Sequence, residues 1–338
     1  MKYLLSIAIV ILSLPACKKN IQDDLVRSNP DVFENGIGPA PEYQWHQMAV
    51  PDMTSWPNND VNGFNLIIPV NGDVYDVVAN DGTVVYKLNT ITKQWALYNA
   101  YTIFTLGTQY IFSYQSKIYE GLDQQPQQIL NGFHSIDPST HSNQSLAPFP
   151  GTPVYSFLSF TIGNKGYLLG GRDQQGNLVN QFWEYNFSTN QWTNKGSSPL
   201  GARAGAVAMI VDGKAYIGLG YAYLNINGLQ VKVYKNDWKM YDPNAVFQVI
   251  LSDFPGVRRA FAEGFVLNGS PYVGFGQDAN GDYKDLYKYN ISSDTWSQQD
   301  DWPGYHANRV RCFSIGSTGY VTKGALAEFW RFSNSVFQ

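Results

Sequence analysis

The sequence predicts an all-β protein, a six-bladed β-propeller closed by an N-terminal strand that completes the last blade. Three observations predict it: an aromatic residue that recurs at the interval of one four-stranded blade, a constant spacing inside each interval, and a final interval one strand short. The recurring aromatics are Tyr75, Tyr119, Tyr167, Tyr216, Tyr272 and Tyr320, each following a turn and separated by 44, 48, 49, 56 and 48 residues. Intervals of this size with strand-and-turn composition are those of propeller blades.

The internal spacing is tighter than the interval itself. Trp95 to Tyr119, Trp192 to Tyr216 and Trp296 to Tyr320 are each 24 residues, and Phe247 to Tyr272 is 25. Pro150, Pro199, Pro255 and Pro303 each stand 17 residues before a marker. Length variation falls after the marker, as in Ala222 to Lys235, where a loop can grow without disturbing its hairpin. Third and fourth strands are legible in FWEYNFSTNQW (Phe182 to Trp192), DLYKYNISSDTW (Asp285 to Trp296), VVYKLNTITKQW (Val84 to Trp95) and WKMYDPNAVF (Trp238 to Phe247), where turn residues separate aromatic-rich runs.

After Tyr320 the chain offers one more strand, Glu328 to Phe332, and no fourth. Glu42 to Met48, with Trp45, is the matching unclaimed strand at the other end. Pairing the two hides two sheet edges that would otherwise template association.

Composition agrees. Aromatic residues make up 15% of the chain and charged residues 15%, with 31 Gly and 17 Pro, as many short strands and tight turns require. A net charge of −4 without a basic block excludes a nucleic-acid partner on electrostatic grounds. The first residues, MKYLLSIAIVILSLPAC, combine Lys2 with an apolar run too short to span a bilayer, which is the pattern of an export signal. Leu14-Pro15-Ala16-Cys17 resembles a bacterial lipobox, so residues 1–16 are expected to be a lipoprotein signal peptide and Cys17 the lipidated residue. Residues 17–40 read as a flexible tether and residues 41–338 as the propeller. Only Cys17 and Cys312 exist, which leaves Cys312 without a disulfide partner. The expected setting is a bacterial cell envelope, at the outer membrane on its periplasmic or outer face, with the protein a monomer.

The repeat resembles the kelch repeat, in which a Gly-Gly pair is followed by a Tyr and a Trp. Gly170-Gly171 is the intact pair, and Gly218/Gly220 and Gly274/Gly276 read as loosened versions. The resemblance covers roughly Pro41 to the C-terminus. It implies the propeller fold and is nearly silent on activity.

Candidate chemistry sits where each innermost strand enters the channel. Counted back from the marker, positions −13, −11 and −9 are expected to share a face because strand side chains alternate. That face carries Arg203 and Arg259 at −13, Arg309 at −11, and Glu263 and Arg311 at −9. Two readings stay open: an internal network in which Glu263 pairs with Arg311 and the other guanidinium groups bond loop carbonyls, or a pocket for an anion or sugar acid. Tyr305 and His306, entering the last blade, join the candidate ligand-binding set. They resemble part of the copper site of galactose oxidase, a kelch enzyme. The chain's four dispersed histidines and its Cys312 within a strand do not complete such a site, so no metal or cofactor is expected. Asp278 to Asp282 resembles the start of a calcium loop, but Tyr289 stands where the closing glutamate belongs, and Asn280-Gly281 reads as a hairpin turn. Trp56, Tyr101, Tyr221, Tyr223 and Trp302 are expected to border a propeller face, where rings stack on sugars or anchor proteins.

The functional expectation is therefore an extracytoplasmic, lipid-anchored binding module that recognises a glycan or a protein through one propeller face, without catalysis. The alternative is an enzyme resembling the periplasmic sialic-acid mutarotases, kelch propellers that act on an acidic sugar. Under it, Glu263 is the general acid/base and one of Arg203, Arg259 and Arg309 holds the substrate carboxylate.

Overall fold

Each marker tyrosine is large, apolar along most of its ring and placed mid-strand, so it stabilises the fold most when buried between sheets. The computed structural model describes residues 43–48, 64–70, 72–80, 82–99, 109–122, 124–125, 128–245, 248–304, 310–323 and 328–334. Within it all six markers lie in the second strand of a four-stranded antiparallel sheet, and all six are buried. The residue opposite each marker on the innermost strand is also apolar: Ile68, Phe112, Phe160, Met209, Phe265 and Phe313. In three blades the two rings stack, with centroids 5.3, 5.6 and 5.1 Å apart. This cross-strand pair is the physical content of the repeat.

The blades follow in chain order. Their innermost strands are Phe64–Val70, Gln109–Tyr114, Leu158–Ile162, Val207–Val211, Glu263–Leu267 and Arg311–Ile315. Each of these strands touches the next, and the sixth touches the first, so the ring is closed. Two small hairpins stand outside the blades, Gln124–Gln125 with Gln128–Ile129 and Tyr221–Ile226 with Leu229–Tyr234; the second is the insertion expected after Tyr216.

Closure is by the N-terminal strand. Gln44–Gln47 pairs antiparallel with Glu328–Ser333 as the fourth strand of blade six, with Trp45 opposite Phe332. A second feature repeats with it. Trp192 and Trp296 each donate their indole N–H to a carbonyl just past the outermost strand of the preceding blade, Ala147 at 3.1 Å and Ser252 at 3.0 Å. Trp45 does the same to Asp300 of blade five at 2.9 Å. It thus occupies the place that the fourth-strand tryptophan holds elsewhere, with Phe332 at 4.8 Å and Phe265 and Phe275 at 6.5 Å. Replacing Trp45 with Ala is expected to lower stability by about 2–4 kcal/mol, the cost of removing a large packed aromatic. The urea midpoint measures it, and a shift worth under about 0.5 kcal/mol, the ordinary surface range, would show that the closing strand adds little.

The export signal, Cys17, the tether, Trp56, Tyr101 and Phe247 lie outside the described residues.

Candidate functional site

The innermost strand of blade five starts at Glu263, which pairs with Gly274 at the end of the second strand. The segment entering a blade and the loop leaving its second strand therefore share one end of the channel. At that end the expected −13, −11, −9 face is not formed in blades three to five. Ser156, Gly205 and Phe261, all at −11, have φ of +54°, +64° and +56°, which breaks strand alternation before the strand begins. These residues instead form a backbone chain around the channel: the Phe261 amide donates to the Gly205 carbonyl at 2.8 Å, and the Gly205 amide to the Ser156 carbonyl at 3.0 Å. Phe261 keeps 41% exposure although it is apolar.

Arginines at −13 consequently turn back into their own blades. Arg259 is fully buried; its Nη1 and Nη2 both reach the Asp285 carboxylate, Nη2 at 2.7 Å, while Nη1 also bonds the Phe275 carbonyl at 2.9 Å and Nε the Val257 carbonyl at 2.8 Å. Its guanidinium also lies over the Tyr283 ring, 4.2 Å from the centroid. Arg203 repeats the design with Asp237 at 2.6 Å and the Leu219 carbonyl at 3.1 Å. Both are neutralised and enclosed, so neither holds a substrate carboxylate. Loop carbonyls were foreseen as partners from the sequence, whereas Asp237 and Asp285 were missed; each directly precedes a third strand.

The glycine pairs also shift by one residue. Leu219-Gly220 and Phe275-Gly276 match Gly170-Gly171, three and four residues past the marker, with Leu219 and Phe275 at φ +57° and +56°. A side chain on Gly220 or Gly276 would meet the Ala204 or Ala260 carbonyl at 2.7 or 2.6 Å. The second glycine of each pair lets the loop lie against the segment entering its own blade.

Glu263 and Arg311 do come together across blades five and six, Nη1 to Oε1 at 3.0 Å. Their side chains keep 28% and 34% exposure, so lumen water reaches both. Burial among the strands raises the Glu263 pKa above the usual carboxylate value; the Arg311 charge and the Cys312 backbone amide pull the other way without cancelling it. The carboxyl is thus surrounded by protein mass and still open to the channel. Arg309, Tyr305 and His306 lie outside the described residues. Trp302, expected at a face, is buried, and so is Tyr221, against Ala204 and Ala260.

One set of positions, Tyr221 apart, escaped sequence reasoning. Five residues past the marker, Arg172, Tyr221 and Gln277 bridge to the −12 residues Tyr155, Ala204 and Ala260. This layer lies further toward the loops than Glu263. The marker count alone could have found it.

A model of the KLHDC2/KLHL20/DRC7 Kelch-repeats domain matches residues 110–317. Among curated proteins the chain is 24% identical over 259 residues to "N-acetylneuraminate epimerase" of Shigella sonnei, covering 59% of this chain and 67% of that protein. It is 25% identical over 259 residues, with the same coverage, to "N-acetylneuraminate epimerase 2" of Escherichia coli O6:H1. Among solved structures, "Structure of YjhT" aligns with a TM-score of 0.53 and 16% identity over 65% of this chain and 75% of that one, a likeness of fold. These findings correct the first functional expectation. The named relatives are epimerases of a sugar acid rather than lipid-anchored binding modules, and that reading is withdrawn.

Proposed function

The chain belongs to the KLHDC2/KLHL20/DRC7 kelch-repeats domain family, and from that premise we propose that it is a mutarotase for a sugar acid of the N-acetylneuraminate kind. The observation that carries the reading is Glu263, a carboxyl of raised pKa that water reaches at one end of the channel, held by a single arginine contact. The names of the curated relatives support the substrate class.

Exchange of anomers needs two proton movements and no net change of atoms. The anomeric hydroxyl loses its proton, the bond from the anomeric carbon to the ring oxygen breaks as that oxygen is protonated, and the open-chain ketone recloses on its other face. A carboxyl can serve both steps when its pKa lies near the working pH, because it is then present in both forms. Glu263 meets this condition better than an ordinary glutamate, since burial favours its neutral form. Arg311 fixes the carboxylate's orientation through the 3.0 Å contact and steadies the charged form between proton transfers.

Saturation-transfer NMR on N-acetylneuraminic acid measures the exchange rate directly, with the spontaneous rate subtracted. The protein is expected to accelerate it, and no acceleration at any pH would reject the proposal. The pH dependence is a second check. A glutamate with a raised pKa loses its base form earlier as pH falls, so the acidic limb is expected above the usual glutamate value of 4.5. A limb at or below that value would remove Glu263 as the titrating group.

A further inference from the structure

Of the described arginines at the charged end of the channel in blades three to six, three are matched by carboxylates. Arg203 faces Asp237, Arg259 faces Asp285 and Arg311 faces Glu263. Arg172, in the loop of blade three, faces no carboxylate within ion-pair distance among the described residues. Its sequence neighbour Asp173 is engaged in its own turn, accepting from the Asn177 amide at 2.8 Å and from its side chain at 3.1 Å.

The guanidinium is nonetheless held in place. Nε donates to the Gly176 carbonyl at 3.0 Å, and Gly176 has a φ of +89°, a conformation that favours glycine. The Tyr155 ring lies under the guanidinium carbon, 5.6 Å from its centroid. Tyr221 is the next contact: burial raises its pKa, and the charge and hydrogen bond of Arg172 oppose that rise. From Tyr221 the wall continues to Phe261, 6.2 Å between ring centroids, and Phe261 is two residues from Glu263. A fixed cation that no carboxylate faces among the described residues therefore stands at one end of an aromatic run whose other end is Phe261.

Resting on the mutarotase reading, we infer that Arg172 is the anion anchor of the site: its guanidinium takes the carboxylate of the sugar acid, which the anomeric carbon itself carries, and the exposed ring of Phe261 lies beside the sugar. A guanidinium presents paired N–H groups that match a carboxylate, and one already pinned loses little freedom on binding. The anchor selects acid sugars over neutral ones, a task for which Arg203 and Arg259, closed by their own aspartates, are unfit.

The test separates anchoring from catalysis by using a ligand that cannot open. Isothermal titration with 2-O-methyl-α-N-acetylneuraminic acid and with its neutral methyl ester gives an acid-to-ester affinity ratio. The unaltered protein is expected to favour the acid by about tenfold or more, the range of a charged hydrogen-bonded pair. Arg172→Gln is expected to bring the ratio near one. Arg172→Glu is expected to abolish acid binding while ester binding persists, which shows that the variant is folded. An unchanged ratio in Arg172→Gln, loss of both ligands in both variants, or no preference in the unaltered protein would each overturn the inference. Anomer exchange is scored separately: a preference lost on changing Arg172 supports the anchor even if exchange is not accelerated, and accelerated exchange with an unaltered ratio leaves the mutarotase reading standing without it.

Discussion

Glu263→Gln is expected to lower the protein-dependent rate of anomer exchange by about a hundredfold or more, the usual worth of a positioned general acid/base. The substitution is suited to the question because glutamine keeps the shape and an oxygen that can accept from Arg311, now 3.0 Å from Oε1. What it removes is the titratable proton. Stability is expected to change little, since a carboxylate that burial already disfavours is replaced by a neutral amide. Rate loss with an unchanged melting temperature supports an acid/base role, and a variant as fast as the original would eliminate Glu263 from the chemistry.

Arg259→Met has the opposite signature, a loss of stability that does not act through the acid/base. The guanidinium is fully buried and bonds two carbonyls besides Asp285, whose own side chain is 17% exposed. Removing it leaves a carboxylate and two carbonyls facing an apolar chain. Breaking one partner of a buried pair costs about 3–5 kcal/mol. At roughly 2–4 °C per kcal/mol for a domain of this size, the melting temperature should fall by about 10 °C. The double variant Arg259→Met with Asp285→Leu is expected to recover part of the loss, because no charge is then stranded. A single variant within about 1 kcal/mol of the original would show that the pair is solvated in solution.

These two expectations mark how far the sequence could be read. The ring was legible because it rests on side chains whose burial is forced by size: Tyr216 or Tyr272 has one way to be enclosed in a sheet, and the interval between such residues counts blades. The position of Trp45 was legible for the same reason, since a strand lacking its tryptophan and a tryptophan lacking its strand fit together. Charged side chains follow different rules. Arg259 and Arg203 were placed in the channel on the assumption of an extended backbone back to −13, and the left-handed turn at −11 re-aimed them. Ser156 and Phe261 give no hint of that turn, because neither residue type favours positive φ. Arg172 was passed over since it follows Gly170-Gly171 in what reads as an ordinary loop. Its partnering, or lack of it, depends on what the fold brings within a few ångströms.

The pairing of Gln44–Gln47 with Glu328–Ser333 also sets an order of events in the cell. Gln44–Gln47, the first of the described strands to leave the ribosome, meets its partner only when nearly the whole polypeptide has been made, so blade six is assembled last. The entropy of closing so long a loop rises only slowly with its length, but bringing such distant segments together lengthens the search. Disrupting either Gln44–Gln47 or Glu328–Ser333 would therefore damage the same blade.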